Sequence, residues 1–145
     1  MSGAEMSFSG QINTFVNKAK GQTVDVPRKS ILELYGMIVK ATPVGHKRWW
    51  KVKRAPKEYT GGRLRNNWNL SLTDIDETTT TSTNDGVSGA KSKQRIKAYN
   101  GHTVYLSNHL DYALRVERGH SPKQAPHGMV RVSVKRWKRI VRGNI

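Results

Sequence analysis

Trp68-Asn69-Leu70-Ser71-Leu72 alternates bulky apolar side chains with small polar ones. Successive side chains of a strand point to opposite faces, so this stretch predicts a strand with one buried face. Beyond it, from Asp76 to Gly89, the chain turns to Thr, Ser, Asn, Asp and Gly, with threonine at 78 to 81. That composition predicts an extension of the strand through the threonines and then a loop over 82–92, the whole forming a flexible polar loop near 77–92. Asn100-Gly101 follows, between Arg95 to Tyr99 and Thr103 to Leu106. The dipeptide favours the left-handed residue pair of a tight turn and predicts a hairpin, hence three strands and a small sheet.

Upstream, Ser9 can cap a helix whose stripe is Phe8, Ile12, Phe15, Val16 and Ala19, with Gly21 ending it. A second helix starts at Pro27, carries Ile31, Leu34, Tyr35, Ile38 and Ala41 on one face, and stops at Pro43. Downstream, Asn108, Tyr112, Leu114 and Val116 precede Gly119 and predict a short helix near 109–118. The tail from Met129 to Val141 fits either period. The helical reading accounts for Trp137 and Val141 as well as the valines, and leaves Arg131, Lys135, Lys138, Arg139 and Arg142 on the polar side. The resulting expectation is one α+β domain over 1–145, with N-terminal helices packed on a small mixed or antiparallel sheet and a C-terminal helix.

Within 145 residues only one modest core is expected, because the hydrophobic share is 35%. Lys and Arg number 26 against 10 Asp and Glu, a formal charge of +16. Residues 46–65 and 100–145 carry +7 each, whereas 66–99 are neutral. Such a field repels itself, which points to a polyanion or an acidic neighbouring surface as partner; a basic solvated surface is the plainer alternative. Residues 43–67 hold Pro43, Gly45, Pro56, Gly61 and Gly62 among basic residues, with Trp49 beside Trp50. Adjacent side chains diverge, so at least one of these rings should leave the core and meet nucleic acid or another subunit. Lys47, Arg48, Trp49, Trp50, Lys51, Lys53 and Arg54 form that candidate contact loop.

Catalytic patterns do not gather. The absence of cysteine removes disulfides and thiolate chemistry, and the five histidines lack a short zinc-ligand spacing. The acids are scattered, with Asp74 and Asp76 the nearest approach to a metal-holding pair. Gly61-Gly62-Arg63 is too short for a phosphate-cradling loop, and no nucleophile elbow is present. No cofactor and no enzymatic activity are expected. The chain also lacks an 18-residue apolar run and a signal-peptide pattern, which predicts a soluble, non-secreted protein with no membrane partner.

Four segments carry a likeness when taken in order: Thr42-Pro43-Val44; Gly61-Gly62-Arg63-Leu64-Arg65-Asn66-Asn67-Trp68; Asn108 through Tyr112-Ala113 to Glu117-Arg118-Gly119-His120-Ser121; and Gln124-Ala125-Pro126-His127-Gly128-Met129-Val130-Arg131. As a set they resemble the tail-completion or neck proteins of long-tailed bacteriophages, over roughly residues 8–141. The likeness departs at His46 to Tyr59, a basic insertion where such proteins run almost directly on.

The resemblance implies a structural virion protein, made in the host cytoplasm and placed at the head-to-tail junction. It would complete the tail and form a homo-oligomeric ring, a hexamer by the family pattern, around a DNA passage. Its neighbours would be a tail-tube or tail-terminator protein and a head-side connector, with non-specific contact to passing DNA. It implies no catalytic residues. Candidate fold or interface anchors are Leu64, Trp68, Tyr112, Glu117, Gln124, Pro126, Met129 and Trp137, and Glu117 is expected to pair with an arginine of its own or an adjacent subunit. The Ser121 to Met129 run is expected to hold a defined loop shape, either to turn the chain or to present a contact. A sequence-independent nucleic-acid binding module, or a tail-tube terminator or head-side connector, are the alternative readings.

Overall fold

A computed structural model describes residues 24–46, 57 and 59–145. The helix expected at residues 9–20 and the basic stretch 47–56 lie outside the described residues.

Helix α1 spans Asp25–Ala41. Asp25 lies in its first turn, where negative charge suits the dipole, and Pro27 sits where no amide hydrogen is needed. Ile31, Leu34, Tyr35 and Ile38 recur at helical spacing and are buried. Thr42 ends the helix: it is extended, as a residue before proline prefers, and its hydroxyl donates to the Ile38 carbonyl at 2.7 Å.

After a short 3-10 turn at Arg65–Asn67, strand β1 (Asn69–Ser71) pairs antiparallel with β2 (Tyr105–Ser107). The register sets Asn69 opposite Ser107, Leu70 opposite Leu106 and Ser71 opposite Tyr105. Trp68 and Leu70 are buried and Leu72 packs on the core from its edge, as expected, but Asn67 and Asn69 on the polar side are buried as well, so the stretch does not have a single buried face. The α+β class with a small antiparallel sheet is therefore the observed architecture.

Two local expectations are corrected. Residues 85–96 form helix α2 (Asp85–Ile96) instead of a polar loop, and Arg95 to Tyr99 are the last residues of that helix and the turn after it instead of a hairpin strand. The sheet has two strands, not three. Asn84 starts α2 by accepting the Gly86 amide at 3.1 Å. The helix went unseen because its buried face begins with serine: Ser88 and Ser92 precede Ile96 and Tyr99, all buried, while Val87 points to solvent. Hydrophobic periodicity cannot register a face built from serine. Asn100-Gly101 still turns the chain, with Gly101 at φ +104, but it joins α2 to β2.

Three further helices follow: α3 (Ala113–Glu117), α4 (Val130–Val134) and α5 (Trp137–Asn144). The single C-terminal helix expected over 129–141 is divided at Lys135 and Arg136. The division changes which side faces inward: Val130 and Val134 are only partly buried, while Trp137, Ile140 and Val141 are at 5% exposure or less. Helix α1 packs mainly against α5, with α2 and α4 on its other flanks. Ile31, Leu34, Ile38, Leu70, Tyr99 and Met129 form the centre of one hydrophobic cluster.

Candidate functional site

Glu117, the last residue of α3, organises the 117–131 segment. Its carboxylate accepts the amides of Met129 at 2.8 Å, Val130 at 2.7 Å and Arg131 at 3.2 Å. These are donors that the first turn of α4 cannot satisfy internally, so a side chain twelve residues upstream of Met129 caps this helix. Arg131 Nε closes the clasp on Glu117 Oε2 at 3.1 Å, and its Nη2 donates to the Glu117 carbonyl. Burial pushes the Glu117 carboxyl up, but the three amides and the Arg131 guanidinium outweigh it and hold the group below its ordinary value. The arginine partner expected for Glu117 is thus in its own chain.

The close approach needs glycine. Gly128 has φ +89, and a Cβ there would run into the carboxylate and carbonyl of Glu117. Between these ends the loop is pinned by a Ser121–Ala125 bridge and by Gln124, which contacts a distant part of the chain. Gln124 Oε1 accepts from the Val44 amide at 2.9 Å, and its Nε2 donates to the Val44 carbonyl at 3.0 Å. A side-chain amide here stands in for a strand partner.

Residues 61–68 reach the same corner. Arg65 donates to the Thr42 carbonyl at 2.8 Å and to the Lys40 carbonyl at 3.1 Å, placing a cation at the C-terminal end of α1. Trp68 Nε1 donates to the Thr42 hydroxyl at 2.8 Å, and Asn108 donates to the Leu64 carbonyl at 2.9 Å. Leu64, Trp68, Met129 and Trp137 are buried, Tyr112 is half-buried, and Gln124 and Pro126 are exposed. Burial pushes the Tyr112 hydroxyl up in pKa, opposed by the nearby Arg63 cation. Lys47, Arg48, Trp49, Trp50, Lys51, Lys53 and Arg54 lie outside the described residues.

Sequence reasoning missed two polar structures. Asn67 exchanges hydrogen bonds with the Thr80 backbone, receiving from its amide at 2.8 Å and donating to its carbonyl at 3.0 Å. Asn66 donates to Ser82 and Asn69 to Asp76 and Thr78, so three asparagines hold the 76–82 backbone beside β1. At the near end, Asp76 meets Arg95 at 2.7 Å and Lys91 at 3.4 Å. The Thr78 hydroxyl, ahead of Arg95, the Thr78 amide and Lys91, holds the Asp76 carboxyl well below the usual range despite some burial. The Asn66-Asn67-x-Asn69 run was a visible signal, though its partners were not.

Among the described residues, no three His, Asp or Glu side chains gather to hold a metal ion, and no helix is long and apolar enough to cross a membrane. What the geometry provides is a polar-clasped scaffold with a basic exterior. No family model, curated protein or solved structure matches the chain.

Proposed function

We propose that the chain is a structural, non-catalytic subunit of the head-to-tail joint of a long-tailed bacteriophage. It completes the tail as one copy of a ring, a hexamer by the family pattern, around the DNA passage. It sits in the virion between a tail-tube or terminator protein and a head-side connector. The observation that carries this reading is the convergence of the four segments on which the resemblance rests. Val44 meets Gln124, Thr42 meets Arg65 and Trp68, Leu64 meets Asn108, and Glu117 meets Met129, Val130 and Arg131. The four segments thus form one connected framework in this chain, which supports reading them as a set.

The charge supports the same reading. A ring subunit contacts copies on both flanks and partners above and below, so unneutralised basic groups on a small chain find their counter-charges in the assembly. The test is electron microscopy of particles assembled without this protein. Filled heads separated from tails are expected; complete, infectious virions would reject the joining role.

A second reading, a sequence-independent nucleic-acid binding module outside any particle, is favoured by the exposed basic residues of 131–142. It would be supported by DNA association in solution together with unaffected particle assembly in the protein's absence.

A further inference from the structure

The exposed side of α5 is uniformly basic. Between residues 135 and 143, Lys135, Arg136, Lys138, Arg139, Arg142 and Gly143 are exposed, while Trp137, Ile140 and Val141 face inward. Among the described residues none of these five cations makes an ion pair, in contrast to Arg131, which Glu117 holds. Two of them are placed unfavourably for the helix itself: whereas Lys135 and Arg136 follow the C-terminal end of α4, which suits cations, Lys138 and Arg139 lie in the first turn of α5, where the dipole favours anions and no acid is present. Stability alone would put acids there, as Glu117 does for α4.

We propose that the outward face of α5, with Lys135 and Arg136 at its head, contacts the phosphate backbone of duplex DNA without reading sequence. From Lys138 to Arg142 the helix rises about 6 Å, the rise of about two phosphates along one strand. Five exposed cations with no interspersed acid, none held by an ion pair, suit a row of phosphates and offer no fixed fork aimed at base edges. An anionic membrane fits less well, because the apolar side of α5 is spent in the core and cannot enter lipid. An acidic protein fits less well too: from Lys135 to Gly143 every exposed residue is Lys, Arg or Gly, and the exposed apolar side chain nearest in the chain, Ile145, lies past the end of the helix instead of among the cations.

This inference rests on the second reading above, whose contact face it names, and stands apart from the joining role, since it concerns the purified chain and not particle assembly. The test is fluorescence anisotropy of a labelled 30-base-pair duplex titrated with the full chain over a salt series. Wild type should bind two unrelated sequences equally, with a steep log-log salt dependence. The K138Q/R139Q/R142Q variant, checked for folding by circular dichroism, should lower that slope by about 2 to 3. A folded variant with an unchanged slope would overturn the inference, as would absence of duplex binding by wild type at low salt. Equal or tighter binding to polyglutamate or to phosphatidylserine-containing vesicles at the same salt would also overturn it.

Discussion

Glu117 and Arg131 hold each other from two directions: the guanidinium reaches the Glu117 carboxylate through Nε at 3.1 Å and the Glu117 carbonyl through Nη2. The same carboxylate caps α4, so one side chain ties the end of α3 to the start of the C-terminal helices. Glu117→Gln keeps the shape and removes the charge that strengthens these bonds. It should destabilise the fold by about 1–3 kcal/mol in urea unfolding. Arg131→Lys, which keeps the charge but loses the fork, should cost less than Glu117→Gln. An E117Q stability equal to wild type would mean that water replaces the clasp without loss.

Acid should loosen the protein through two carboxyls. Asp76, held low first by the Thr78 hydroxyl and then by Arg95, and Glu117, held low by the α4 amides against its burial, both have native pKa values below their ordinary ones. In the interval between native and ordinary values the unfolded chain binds more protons. Their contribution is therefore complete above about pH 4.5 and declines as pH falls through the ordinary carboxylate range toward the native values. Urea midpoints measured from pH 7 to pH 3 should show this decline, and D76N/E117Q should show a shallower one. An equally steep acid limb in the double variant would place the sensitivity elsewhere.

What could be read from residue order was whatever rests on apolar spacing. The stripe Ile31, Leu34, Tyr35, Ile38 and the alternation Trp68, Leu70, Leu72 each announce an apolar face, and each of these faces meets the core where expected, although Asn67 and Asn69 on the other side of the strand are buried too. Helix α2 was illegible because Ser88 is buried by its partners, not its hydropathy: its hydroxyl donates to the Trp68 carbonyl at 2.6 Å and meets Tyr35 Oη at 3.0 Å. At the clasp, Glu117, Gln124 and Met129 were singled out as candidates, and their mutual geometry depends on Gly128. Pairings between distant residues such as Gln124 with Val44, or Arg28 with the Tyr99 carbonyl at 2.8 Å, leave no periodic trace in the chain. Composition located the charge but could not tell that Arg131 is clamped while its neighbours on α5 are not.

Glycines separate into two kinds with opposite expected responses. At Gly128 the positive φ and the proximity of Glu117 both oppose a side chain, so Gly128→Ala should destabilise by more than about 1 kcal/mol. Gly36 lies in the interior of α1, and a Cβ there would meet nothing within 4 Å. Gly36→Ala should stabilise the isolated chain by about 0.5–1 kcal/mol, because it restricts the unfolded backbone and favours helix. Thermal unfolding of the two variants beside wild type checks both signs. A destabilising Gly36→Ala in the isolated chain would indicate that something already lies close against that face of α1.

Asn67 gives the sharpest test of the asparagine-held segment. It is 1% exposed, and its side chain makes three bonds, donating to the Arg63 and Thr80 carbonyls and accepting from the Thr80 amide. Asn67→Ala would remove the partners of three part-buried backbone groups beside β1, at a cost of about 1–3 kcal/mol. Asn67→Asp keeps the acceptor but replaces the donor with an oxygen facing two carbonyls, so it should be no better than alanine. The effect should also be local. Hydrogen exchange at the Thr80 amide should accelerate more than at amides of α1, because Thr80 has its Asn67 acceptor removed while the helix ladder is intact. Equal acceleration across both elements would show that the 76–82 segment opens only when the whole protein unfolds.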